Sequence, residues 1–153
     1  MSMKRLRKKE AKKVINEISK IGVEIKGNMD VVNFGDADVI LVDNEPLILK
    51  YDDRYYLTVY GVIKFKPEKN KVVVDEGALK FIMNGADVMR PGIVYADENI
   101  KKDDFVYVVV EGKETPISVG VALVNGKEMI GERGKAVKNI HHLKDKIWKY
   151  FFR

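Results

Sequence analysis

Cysteine is absent from this 153-residue chain, which removes a disulfide framework and any cysteine-ligated zinc site and fits a reducing compartment. No apolar run approaches the roughly 18 to 20 residues a membrane span needs, and the basic N-terminus lacks the apolar centre of a secretory signal. A soluble, cytoplasmic protein with no membrane partner is therefore expected. Serine is scarce: Ser2, Ser19 and Ser118 are the whole supply, and none lies in a Gly-x-Ser-x-Gly elbow. The two histidines, His141 and His142, are adjacent, so they point apart on a helix or a strand and lack the i, i+4 spacing of a shared metal site. The stretch Gly131-Glu132-Arg133-Gly134-Lys135 lacks the spacing and the following hydroxyl of a phosphate loop. A strand-like run before it also argues against the helix-to-helix Gly-x-x-Gly clamp of a KH domain. No enzyme, metal or other cofactor is nominated.

What the chain does have is apolar residues, 46% of the total, ample for one ordinary domain or two small ones. Its net charge of +5 hides a strong segregation. Residues 1–13 and residues 133–153 each carry seven Lys or Arg against one acid, +6 apiece, which leaves −7 for residues 14–132. Basic ends of this kind suit electrostatic contact with a polyanion, and equally suit two solvated terminal segments.

Leu6, Val14, Ile15, Ile18 and Ile21 recur at helical spacing until Gly22, predicting an amphipathic helix over the first twenty residues with a lysine-rich face. Apolar runs at 23–25, 31–34, 39–42 and 47–49, separated by Gly27-Asn28, Gly35-Asp36 and Asn44-Glu45-Pro46, read as antiparallel strands. The stretch 55–65 fits either a strand or a short helix. Polar, proline-bearing Lys66-Pro67-Glu68-Lys69-Asn70 marks a domain boundary. Beyond it, 105–110 and 117–124 read as strands, Gly120 as a bulge, and Asn125-Gly126 as a hairpin turn leading to Met129-Ile130.

The densest information lies in residues 74–93. Asp75 suits a helix N-cap, and Asp75 with Glu76 opposes the positive helix end, which argues against a phosphate there. Ala78, Leu79, Ile82 and Met83 fall on one helical face and Lys80 and Asn84 on another. Gly85 suits a left-handed cap, and Pro91-Gly92 the centre of a type II turn. The result is a short loop, fixed at both ends, that finishes in Arg90.

Gly85-Ala86-Asp87-Val88-Met89-Arg90-Pro91-Gly92-Ile93, preceded by Val74-Asp75 and Gly77-Ala78, closely resembles the signature of the PUA domain, an RNA-binding module; the resemblance covers roughly residues 70–145. Asn139-Ile140-His141-His142-Leu143, with Asp145 and Trp148, is similar to the ending of one branch: the malignant T-cell amplified sequence proteins, ligatin and small archaeal counterparts. The resemblance implies an α+β pre-PUA domain over residues 1–68, then a mixed β pseudobarrel over 69–153 with a C-terminal tail. It implies RNA contacts at Lys80, Asn84, Gly85, Ala86, Asp87, Met89 and Arg90, with Lys135 as a further member. Arg90 and the lysines would meet phosphates, loop amides would hold sugar or phosphate oxygens, and Met89 would pack on a base. The implied role is in translation, with tRNA or small-subunit ribosomal RNA as partner, alongside the ribosomal subunit or a translation factor. Two alternatives stand beside it: an accessory specificity module for a separate RNA-modifying enzyme, and a protein-interaction scaffold using the aromatic tail Trp148-Lys149-Tyr150-Phe151-Phe152.

Overall fold

The computed structural model describes residues 2–152, which divide into two compact units, Met1–Pro67 and Glu68–Arg153. The first unit runs β1 (Met3–Arg5), α1 (Lys8–Ser19), β2 (Met29–Asn33), β3 (Asp38–Val42), β4 (Glu45–Tyr51), β5 (Arg54–Leu57) and α2 (Val59–Phe65). Its strands pair antiparallel in the order β1-β2-β3-β4-β5. Both tight turns use paired positive φ, at Asp43-Asn44 and Asp52-Asp53, the mirror-image geometry that matches strand twist. Pro46 sits at the register shift between β3 and β4, where a missing N–H costs least. Val14 and Ile18 of α1 are fully buried, as helical spacing requires.

Three expectations for this unit change. Residues 3–5 are a strand rather than the start of the helix, because they pair with Asp30–Val32 of β2. Residues 23–25 form no strand: Val23 and Ile25 are buried, but the segment joins no ladder. The ambiguous stretch 55–65 is both things, a strand and then a helix, divided at Thr58. The Thr58 hydroxyl accepts from the Gly61 N–H at 2.9 Å, capping α2.

The second unit contains β6 (Lys71–Val74), a 3₁₀ turn at Glu76–Ala78, α3 (Leu79–Met83), β7 (Val88–Met89), a second 3₁₀ turn at Arg90–Gly92, β8 (Ile93–Ala96), β9 (Phe105–Val110), β10 (Pro116–Ala122), a third 3₁₀ turn at Gly126–Glu128, β11 (Lys135–His142) and α4 (Lys146–Phe151). The sheet order is β7-β11-β10-β9-β6-β8, mixed because β6 and β9 run parallel. The two outermost strands, β7 and β8, are consecutive in the chain and separated only by Arg90–Gly92. Three linking residues reach about 14 Å at most, so the sheet curls until its edges nearly meet, and the unit is a pseudobarrel. Val72, Val74, Ile82, Val88, Val106, Val108, Met129 and Val137 fill it.

Gly120 is the bulge: the β10–β11 register shifts there, and a Cβ at Gly120 would lie 2.0 Å from the Lys138 carbonyl oxygen. Asn125-Gly126, in contrast, makes no hairpin. Gly126 is needed for close approach, since a Cβ there would meet the Asp97 carbonyl oxygen at 2.0 Å, while its N–H donates to the Ile100 carbonyl at 2.8 Å. The strand-like run Met129-Ile130 before Gly131 is not a strand; the segment from Gly126 turns through the 3₁₀ helix and buries Met129. Pro91-Gly92 is likewise a 3₁₀ turn without positive φ, and glycine is favoured because a Cβ would crowd that of Ala78 at 3.2 Å.

Candidate nucleic-acid interface

The site is assembled on the short helix. The Asp75 carboxylate accepts from the Ala78 N–H at 3.1 Å, so the expected cap closes a 3₁₀ turn that runs on into α3. Ile82 is buried, with Ala78, Leu79 and Met83 packed against the barrel core, and Lys80 and Asn84 are exposed. At the other end Gly85 has φ +93°. Its N–H donates to the Ile82 carbonyl at 2.9 Å and that of Ala86 to the Phe81 carbonyl at 3.0 Å, the paired closure of a Schellman cap.

From there side chains of Asn139, Asp87 and Lys135 hold the loop to β11. The Asn139 amide nitrogen on β11 donates to the carbonyls of Ile82 and Ala86, both at 3.0 Å. Its oxygen accepts from the Ser118 hydroxyl at 2.8 Å, and its backbone N–H donates to the Asp87 carboxylate at 3.0 Å. The other Asp87 oxygen pairs with the Lys135 ammonium at 3.2 Å. β7 then pairs with β11, placing Met89 opposite Lys135.

These constraints frame a groove of ≈ 650 Å³ whose walls include Phe81, Ala86, Asp87, Met89, Gly92 and Lys135. Phe81 and Met89 are 58% and 45% exposed, large apolar side chains held in water, and the Lys80 ammonium lies 5.2 Å from the Phe81 ring centre. Apolar surface with an adjacent cation suits a flat, anionic-backbone ligand such as an unpaired nucleotide.

Of the residues singled out in the sequence, Ala86, Asp87, Met89 and Lys135 line the groove; Lys80, Asn84, Gly85 and Arg90 do not. Arg90 instead lays its stem over Gly131, where a Cβ would sit 3.2 Å from the Arg90 Cδ. Its Nε is buried without a hydrogen-bond partner among the described residues, and its N–H donates to the Gly134 carbonyl at 2.9 Å. One groove-lining residue and one residue that holds the loop escaped sequence reasoning. Phe81 is an aromatic one residue outside the apolar stripe of α3, which was its available signal. Asn139 lay inside the recognised C-terminal stretch, but nothing local showed that its side chain would reach across to the loop.

The histidines make separate contacts. His141, 1% exposed, bonds the Asp145 carboxylate through Nδ1 at 2.7 Å, while His142 Nδ1 meets the Leu143 carbonyl at 2.7 Å. Burial pushes the Asp145 carboxyl up, but the His141 contact and the N–H groups of Trp148 and His142 outweigh it and hold the carboxyl below its ordinary 3.8. Asp145 thereby caps α4 and its aromatic tail. Among the described residues there is no cluster of three or more potential metal ligands, and no helix is long and apolar enough to cross a membrane.

Residues 70–143 match the family model described as the PUA domain, and residues 4–65 match one described as a domain of unknown function, DUF1947. A solved structure of a conserved PUA domain protein from Thermoplasma acidophilum is 32% identical and covers 98% of this chain and 99% of its own, with a TM-score of 0.80. This chain is a PUA-domain protein. An uncharacterised Methanocaldococcus jannaschii protein is 49% identical to it, over 95% of this chain and 94% of the other. The similarity extends to translation machinery-associated protein 20 of Schizosaccharomyces pombe, 42% identical over 52% of the PUA-domain protein and 46% of the relative. It also reaches human malignant T-cell-amplified sequence 2, 34% identical over 49% of this chain and 44% of the relative. The branch expected from the sequence is thus the branch matched, although the match spans less than half the length of these two eukaryotic relatives.

Proposed function

We propose that this PUA-domain protein is a non-enzymatic RNA-binding protein of the translation apparatus, and that its groove receives unpaired nucleotides of tRNA, at the acceptor end, or of small-subunit ribosomal RNA. The observation that carries this reading is the pair of exposed apolar side chains, Phe81 and Met89, fixed at a groove with Lys135. Bases would stack on Phe81 and pack on Met89, while Lys135 and Lys80 meet phosphates. Arg90 acts from behind, holding residues 131–134 and so the start of β11. The name of the fission-yeast relative supports the link to translation.

The test is retention of unfractionated tRNA and of isolated small ribosomal subunits by the purified protein at low salt. Phe81→Ala and Met89→Ala are each expected to weaken binding about tenfold, the worth of one lost stacking partner, with no change in melting temperature. A wild-type protein that retains neither RNA sinks the proposal.

A further inference from the structure

The first unit has a polar cleft of ≈ 440 Å³ beside α1. Three carboxylates line it, Glu10, Glu17 and Asp53. The first two are already engaged, and Asp53 is left to weigh against the five cations of the same lining, Arg7, Lys9, Lys13, Lys20 and Lys50. Glu10 accepts from the Lys50 ammonium at 2.8 Å and the Tyr55 hydroxyl at 2.7 Å, and Glu17 pairs with Arg54 at 3.5 Å. The rim is different. Lys9, Lys13, Asn16 and Lys20 border the cleft at spacings of four, three and four residues, one stripe along α1 that ends on its C-cap, Lys20. All four are exposed, and the three lysines form no ion pair among the described residues. Arg7 adds a further rim cation.

We infer that this stripe is a second RNA contact, one that grips successive phosphates of the sugar-phosphate backbone without reading bases. From Lys9 to Lys20 the stripe is about 16 Å long at the helical rise of about 1.5 Å per residue, enough to face several phosphates of one strand. Internal neutralisation of Glu10 and Glu17 matters here, because free acids on the floor would repel the same ligand. An anionic membrane is the poorer occupant: the apolar residues Val14 and Ile18 of α1 are fully buried and only Ile15, at 38%, is exposed, so the helix has no apolar face to insert. This inference rests on the RNA-binding reading above but uses residues that take no part in the groove.

The experiment measures tRNA affinity of the full chain across a salt series. The triple variant Lys9→Gln, Lys13→Gln, Lys20→Gln is expected to lose about tenfold in affinity at low salt. The slope of log K against log salt should fall in magnitude by about two, at about 0.7 to 0.9 per phosphate contact. The matched triple arginine variant should keep the wild-type slope, and Met89→Ala should lose affinity at unchanged slope. A triple glutamine variant with the wild-type slope overturns the inference while leaving the groove reading intact; a wild-type protein that binds neither tRNA nor, in the same salt series, isolated small ribosomal subunits overturns both. Loss of binding confined to phosphatidylserine vesicles, with tRNA binding unchanged, assigns the stripe to a membrane and also overturns it.

Discussion

The groove beside α3 and the cleft beside α1 differ in what holds them and in what they expose. The groove is held mainly by the neutral hydrogen bonds of the Asn139 side chain, with one ion pair, Asp87 with Lys135, at its edge, and presents apolar side chains to water. The cleft is held by ion pairs, Lys50 with Glu10 and Arg54 with Glu17, and presents cations. A surface of the first kind discriminates by shape and stacking, whereas one of the second adds strength without selectivity. Keeping the two apart lets a protein tune selection without altering its electrostatic hold.

The comparison breaks most severely at Gly120. A Cβ placed 2.0 Å from the Lys138 carbonyl forces β10 and β11 apart, so Gly120→Ala is expected to cost about 3 kcal/mol or more, read as the shift in urea midpoint. Asn139→Ala comes next. It strands the Ala86 carbonyl, takes one of two donors from the Ile82 carbonyl and leaves the Ser118 hydroxyl only a 3.4 Å bond to the Val119 carbonyl, a loss of about 2 kcal/mol, and should abolish groove-dependent RNA affinity while the salt slope persists.

Acid tests the opposite site. The Lys50 hydrogen bond holds the Glu10 carboxyl below its ordinary 4.5, so this pair stabilises the fold above that value and the contribution disappears as pH falls through the lower folded pKa. Its partner Lys50 is raised above 10.5, chiefly by the same hydrogen bond, so the contribution is complete below that value and is lost as pH climbs through the raised one. Glu10→Gln should make both limbs of a stability-against-pH curve shallower, leaving what Asp145 contributes on the acid side and what the exposed Glu45–Lys64 pair contributes on both. The smallest effect belongs to Lys135→Gln: its side chain is 62% exposed, so stability should move by about 0.5 kcal/mol or less, although RNA affinity falls.

Local chemistry made much of this legible. Gly85 followed an apolar helical face and took φ +93°; Asp75 capped; Gly120 sat inside an apolar run and bulged. The failures share a cause, which is tertiary contact overriding a local signal. Asn125-Gly126 has the composition of a hairpin turn, but Gly126 is consumed by packing against Asp97. Met3–Arg5 is exposed throughout, with Lys4 and Arg5 charged, so no pattern in it announces the β2 edge that recruits it. Arg90 reads as a free cation at a loop end, yet its Nε is buried behind the groove.

The short Arg90–Gly92 bridge has a mechanical consequence. Met89, Pro91 and Gly92 belong to the groove wall and also to the seam where β7 passes into β8, so a molecule lodged there would act as a clasp on the barrel's closure. Occupancy should therefore slow amide exchange at Arg90, whose N–H is bonded to the Gly134 carbonyl, and at the β7–β11 ladder. That would make the seam itself a reporter of what the groove has caught.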